Sequence, residues 1–171
     1  MNLNFSSKTV RDNVFKHLET YLVENNFRII KKDQERPWGG FFVIDEDQAS
    51  AFVEYFFPSE DKDVLLSQNK LSPKILIVQP SKRLSWQYHF RRAELWKVIG
   101  GKVGIVTSDN DEENELNTFT VGSLIKLQQG ERHRLIGLDN WGVVAEIWQH
   151  THADNPSNED DIVRLQDDFG R

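Results

Sequence analysis

The chain has 171 residues, a formal net charge of −6 and no cysteine. Disulfides, thiolate ligands and cysteine catalysis are therefore excluded, and the acidic balance argues against general nucleic-acid binding. Hydrophobic residues make up 38%, with eleven Phe and five Trp, so the chain is not disordered and can bury a sizeable core as one domain with a small appendage.

No apolar run approaches membrane-spanning length. The N-terminus, Met1-Asn2-Leu3-Asn4-Phe5, lacks the apolar core of a signal peptide, so a cytoplasmic location is the expectation.

In chain order, residues 7–25 carry Val10, Val14, Phe15, Leu18, Tyr21, Leu22 and Val23 at helical spacing. This amphipathic helix forms an extension, 1–35, that packs against the body or against a partner subunit in a homodimer. Arg36-Pro37-Trp38-Gly39-Gly40 is a break before Phe41-Phe42-Val43-Ile44. From there to Gln149 short β-runs alternate with turns, at 51–57, 74–78, 95–106, 118–127, 133–138 and 143–148. Several such strands predict a sandwich or barrel, all-β apart from the helix, over 36–171. The acidic stretches 58–63 and 108–115 are expected as solvated loops. The tail from Asn155 begins with an acidic run, Glu159-Asp160-Asp161, expected as a solvated turn. It then alternates Ile162, Val163, Leu165 and Phe169 with charges, giving it apolar groups with which to dock.

The segment Trp86-Gln87-Tyr88-His89-Phe90-Arg91-Arg92-Ala93-Glu94 concentrates the candidate chemistry. Gln87 and His89 are two apart in a strand-like run and leave the same face. Glu94 has the opposite parity, so a turn or bulge near Arg91-Arg92-Ala93 must re-aim it. His133, in Gly130-Glu131-Arg132-His133, supplies a fourth ligand. Two imidazoles, a carboxylate and an amide oxygen suit a divalent first-row metal. His150 and His152 form a second His-x-His, expected at the surface or the edge of the site. His17 is expected exposed on the helix.

These spacings resemble the cupins. Ser81, then Gln87-x-His89, Glu94 and Gly101, follows the first cupin motif, with Ser81 for a usual Gly and Gln87 for the first His. Gly122 and Gly130-x-x-His133 follow the second, with Gln128 where Pro is common. A more specific resemblance is to the type II phosphomannose isomerases. It rests on Arg36-Pro37-Trp38-Gly39, on Leu84-Ser85-Trp86-Gln87-Tyr88-His89 with Arg92-x-Glu94-x-Trp96, and on the tail from Glu159 to Arg171. Phe90, Arg91 and Leu95 stand where that family often has histidine.

The resemblance implies a cupin double-stranded β-helix, a jelly-roll barrel. It implies one divalent metal, zinc fitting best, on Gln87, His89, Glu94 and His133. Arg92, Arg164 and Arg171 are implied as the catalytic arginines that handle a small sugar phosphate. The implied reaction interconverts mannose 6-phosphate and fructose 6-phosphate through an enediol. No glycine-rich phosphate loop is present, so GDP-mannose synthesis is not expected. Two other readings stay open: a non-catalytic metal- or sugar-binding cupin, and an Fe(II) oxygenase built on His89, Glu94 and His133.

Overall fold

The structure, a computed structural model, describes residues 2–68 and 70–170. Its elements run α1 (Arg11–Glu24), β1 (Ile29–Arg36), β2 (Gly39–Ile44), α2 (Ala49–Phe56), α3 (Lys62–Gln68), β3 (Lys70–Val78), β4 (Trp86–His89), β5 (Arg92–Gly100), β6 (Lys102–Ser108), β7 (Asn117–Thr120), β8 (Leu124–Leu127), β9 (Arg132–Gly137), β10 (Gly142–His150) and β11 (Ile162–Gln166). A six-stranded sheet has the order β1-β2-β3-β10-β5-β8, and a five-stranded sheet the order β11-β4-β9-β6-β7. Every strand pairing is antiparallel.

Period-2 alternation divides the molecule into two cores. On β10, Val143, Ala145 and Ile147 face outward to the helices, while Val144 faces the space between the sheets. The outer core joins this face to Val14, Phe15, Leu18 and Leu22 of α1 and to Phe52, Val53 and Phe56 of α2. Truncating one such buried ring, Phe15 for example, would cost about 3–5 kcal/mol. The inner core, between the sheets, holds Trp38, Phe41, Leu76, Trp96, Val98, Ile105 and Leu135. The six-stranded sheet is thus buried on both faces.

Helix α1 forms as its spacing predicts, and packs on the body of the same chain. It ends in a Schellman motif: Phe27 N–H reaches the Leu22 carbonyl and Asn26 N–H the Val23 carbonyl. Asn26 takes the left-handed conformation this requires, with φ 64°. Arg11 fastens the helix to the sheet through the carbonyls of Gln34 and Arg36 and the side chain of Gln79.

Five expectations change. The run 51–57 is not a strand but most of α2. Ala49, Phe52, Val53 and Phe56 are buried at helical spacing while Glu54 and Tyr55 are exposed, an arrangement a short apolar run hides. The run 95–106 is two strands turning at Gly101, and 118–127 is two strands that part at Gly122 into different sheets. The segment 29–36, polar on its exposed side, is the edge strand β1. Finally, α3 begins at the end of the expected loop 58–63.

The Arg36–Gly39 motif is the tight turn between β1 and β2. Gly39 has φ 141°, and a Cβ there would lie 1.9 Å from the Ile77 carbonyl oxygen. Glycine is required because backbone packs directly on backbone, and the turn delivers Trp38 into the inner core.

Candidate metal centre and its cavity

Three strands from the two sheets bring His89, Glu94 and His133 together. His89 ends β4 and His133 lies on β9, both in the five-stranded sheet; Glu94 lies on β5 in the six-stranded sheet. The chain turns at Phe90-Arg91, and this re-aims Glu94 inward as its parity demands. Candidate ligand atoms of the three lie within 4.8 Å of one another. His89 Nε2 is 3.2 Å from His133 Nε2 and 3.2 Å from Glu94 Oε1; His133 Nε2 is 3.5 Å from Glu94 Oε2. All three are buried.

The donor set fits a divalent metal. His133 Nδ1 donates to the Glu131 carbonyl at 2.9 Å, which leaves its Nε2 lone pair turned toward the other two residues. Burial pushes the His89 imidazole down to about 3, so it is neutral and able to ligate. Burial alone would raise Glu94, but Arg92 and then the two histidines outweigh it and hold the carboxyl at about 2. Two imidazoles and one carboxylate form a group that could hold a metal ion.

Gln87, two residues before His89 on β4, lines a cavity that Glu94 also lines. It lies opposite His133 across the β4–β9 pairing, and its amide oxygen accepts from Ser85 Oγ at 2.6 Å. Arg92 lines the cavity but is buried. Its guanidinium donates to Glu94 Oε1 at 2.7 Å and Ser157 Oγ at 2.9 Å, lies 3.1 Å from His89 Nε2, and stacks 3.5 Å from the Trp148 ring centroid. Arg164 is exposed on β11, opposite Gln87, on the rim of the cavity. Arg171 lies outside the described residues.

The tail forms an edge strand on β4, with Phe169 packed against the inner core. In its acidic run Glu159 and Asp160 are exposed, as expected of a solvated turn, but Asp161 is not. Asp161 is buried and accepts from the backbone N–H groups of Phe90 and Arg91 and from Ser157 Oγ. It thereby pins the turn between His89 and Glu94. Glu159 forms an ion pair with Lys74 at 2.9 Å. His150 is not a surface residue either: it is buried, with Nε2 2.7 Å from Ser72 Oγ, whereas His152 is exposed. His17 is half-buried with its ring edge against Phe5.

The cavity is small, with a volume of about 70 Å³. Arg36, Lys74 and Glu146 line it together with Trp38, Phe41 and Trp148, and sequence reasoning did not single out these residues as a site. Lys74 is buried, with Nζ 3.3 Å from the Trp148 ring centroid. Burial pushes its ammonium down, against the pull of Glu146 and Glu159. Glu146 is also buried, and its Oε1 accepts from Trp96 Nε1 at 3.0 Å. Burial, and then the charge on Glu94, push its carboxyl up to about 8. A signal existed for both: each is a charge at inward parity within an apolar strand, and such groups are rarely buried without a role.

The fold is that of the cupins. It is similar to a mutant of Bacillus subtilis oxalate decarboxylase, with a TM-score of 0.56 and 15% identity over 79% of this chain and 30% of that one. Vicilin from Solanum lycopersicum superposes with a TM-score of 0.53 and 16% identity, over 78% of this chain and 35% of that one. Within the cupins, residues 45–167 match the family described as Mannose-6-phosphate isomerase C-terminal, and the chain belongs to that family. It is 27% identical to a mannose-1-phosphate guanylyltransferase of Salmonella montevideo over 159 residues, 92% of this chain and 28% of the relative. It is 27% identical to the alginate biosynthesis protein AlgA of Pseudomonas aeruginosa over 139 residues, 80% of this chain and 22% of that one. The chain thus spans about a quarter of the length of these curated relatives. No helix among the described residues is long and apolar enough to cross a membrane.

Proposed function

We propose that the protein is a metal-dependent mannose-6-phosphate isomerase, interconverting mannose 6-phosphate and fructose 6-phosphate. The observation that carries this reading is a metal-competent His–Glu–His group whose Glu94 lines a cation-lined cavity, in a chain of this family. In this reading His89, Glu94 and His133 hold the metal, with the Gln87 amide as a fourth ligand. The N/O donor set suits Zn²⁺. When bound, the metal would act as a Lewis acid for negative charge developing on the sugar oxygens.

The chain's own residues would do the rest. Arg164, with Arg36 also on the cavity lining, would take the phosphate; arginine matches its geometry bidentately. Arg171 belongs to the same proposed grip by resemblance. Arg92 would act at closer range, keeping Glu94 ionised and aligned. The aromatic walls, Trp38, Phe41 and Trp148, would exclude water from the sugar carbons. Holding the remote phosphate supplies positioning for proton transfer between C2 and C1.

A coupled assay for fructose 6-phosphate, run with Zn²⁺, Co²⁺, Mn²⁺ or Fe²⁺, tests the reading. Turnover of mannose 6-phosphate far above that of mannose is expected. Sugar-phosphate binding without turnover under any metal would make the protein a binding module. Because two histidines and one carboxylate also suit Fe(II), oxygen uptake would instead mark an oxygenase.

A further inference from the structure

We propose that Glu146 is the base that moves the proton between C2 and C1 of the sugar; the assignment rests on the isomerase reading. The argument begins with register. Across the six-stranded sheet Val43, Lys74, Glu146, Trp96 and Ile125 lie directly opposite one another, on β2, β3, β10, β5 and β8. Their side chains share the inward face. The neighbouring row contains Ser72, Trp148 and Glu94. Glu146 is therefore one row deeper in the barrel than the candidate ligand Glu94, and one strand over.

Trp96 fixes the two carboxyls relative to each other. Its indole N–H lies 3.1 Å from Glu94 Oε2 and 3.0 Å from Glu146 Oε1. Sugar oxygens held at the His–Glu–His group would thus place the carbons bearing them within reach of Glu146, one indole N–H away. Glu146 also lines the cavity itself.

The other titratable groups of the cavity are committed. Glu94 faces both histidines and Arg92. Glu159 pairs with Lys74, whose ammonium also stacks on Trp148. Arg36, Arg92 and Arg164 remain cationic and cannot serve as bases. Glu146, by contrast, accepts from a neutral indole N–H. Lys74, opposite it in register, offers a positive charge that favours the carboxylate when the proton has left.

The step balances without any co-reactant. The Glu146 carboxylate takes the proton from C2 of the aldose. The C2–H electron pair forms the C1=C2 bond, and the carbonyl pair moves onto O1. A proton passes from O2 to O1, C2=O forms, and the C1=C2 pair takes the proton back from the Glu146 carboxylic acid at C1. The product is the 2-ketose, with no net gain or loss of protons or electrons.

The test compares wild type with Glu146→Gln and Glu146→Asp, each loaded with metal. Three quantities are measured: metal content, affinity for a hexitol 6-phosphate that has no carbonyl, and turnover with deuterium incorporation from D₂O. Glu146→Gln should keep metal content and hexitol phosphate affinity within about threefold, while turnover and deuterium incorporation fall together by about 10³-fold, the scale of a lost general base. Glu146→Asp should recover part of that loss. Turnover within tenfold of wild type in Glu146→Gln overturns the assignment and leaves the isomerase reading standing. Loss of metal or hexitol phosphate binding in proportion to turnover also overturns it, in favour of a structural role. A wild-type protein that isomerises no aldose phosphate removes the isomerase reading, and the base with it.

Discussion

Arg92 and Glu94 share one face of β5, and the Arg92 guanidinium donates to Glu94 Oε1 at 2.7 Å with both side chains almost wholly out of water. Breaking a buried pair by removing one partner leaves an uncompensated charge, at a cost of roughly 3–5 kcal/mol. Arg92→Met should therefore lower unfolding free energy by that order, read from urea denaturation of the metal-free protein. If Arg92 served only to grip phosphate, stability would hold and KM for mannose 6-phosphate would rise alone.

His133→Ala removes one of two imidazoles from the cluster and leaves a small cavity. Elemental analysis after dialysis should find bound metal lost, while the circular dichroism spectrum stays β-rich. Stoichiometric metal in the variant would place the ion elsewhere.

Arg164 is exposed, so its removal should cost little stability. Arg164→Ala should lower kcat/KM for mannose 6-phosphate at least ~10-fold, the factor about 1.4 kcal/mol of lost transition-state binding gives. Activity toward unphosphorylated mannose should not change. Deleting Phe169-Gly170-Arg171 should produce the same selective loss together with a small drop in stability, since Phe169 packs on the inner core. Wild-type kinetics in both variants would move the phosphate site away from the tail.

Burial holds the His150 imidazole down to about 4. An unfolded histidine titrates near 6.5, so between those values the unfolded chain binds the additional proton. The contribution of His150 is fully present above pH ~6.5 and is lost as pH falls toward 4, at up to about 1.4 kcal/mol per pH unit. Glu146, raised to about 8, works in the opposite sense between its unfolded value and pH 8, so the readout is a difference. The urea midpoint of wild type minus that of His150→Gln should shrink between pH 7 and pH 5. A pH-independent difference would show that the ring is not held neutral.

Ser81 has φ 59°, and its N–H is shared between the Gly137 and Leu138 carbonyls. A side chain in the left-handed region costs roughly 1–2 kcal/mol, part of which glycine returns through its more flexible unfolded chain. Ser81→Gly should leave stability unchanged or raise it by up to ~1 kcal/mol, read as thermal midpoint. A clear loss would mean the Ser81 side chain carries a contact worth more than the strain.

The site was legible in part for reasons of spacing. Gln87-x-His89 specifies one face of a strand, and the opposite parity of Glu94 requires the turn that the chain makes at Phe90-Arg91. The positive-φ positions at Gly101, Gly122 and Gly130 mark the turns that end strands. The run 51–57 misled because Phe52, Val53 and Phe56 satisfy a helical stripe as readily as a buried strand. Asp161 misled because an acidic cluster reads as solvated until its partner, the turn at residues 90–91, is brought beside it.

By itself, the sequence determined the β-rich class, the amphipathic α1 and a tail with apolar groups to dock, and it singled out His89, Glu94 and His133, because each depends on residue type and short spacing. The tertiary structure alone decided which charges share the barrel's interior. Lys74, Glu146 and Glu94 come from three different strands, and Glu159 from the tail, so no local pattern links them. Cross-strand register brings them together, and burial and their mutual charges there shift their proton affinities.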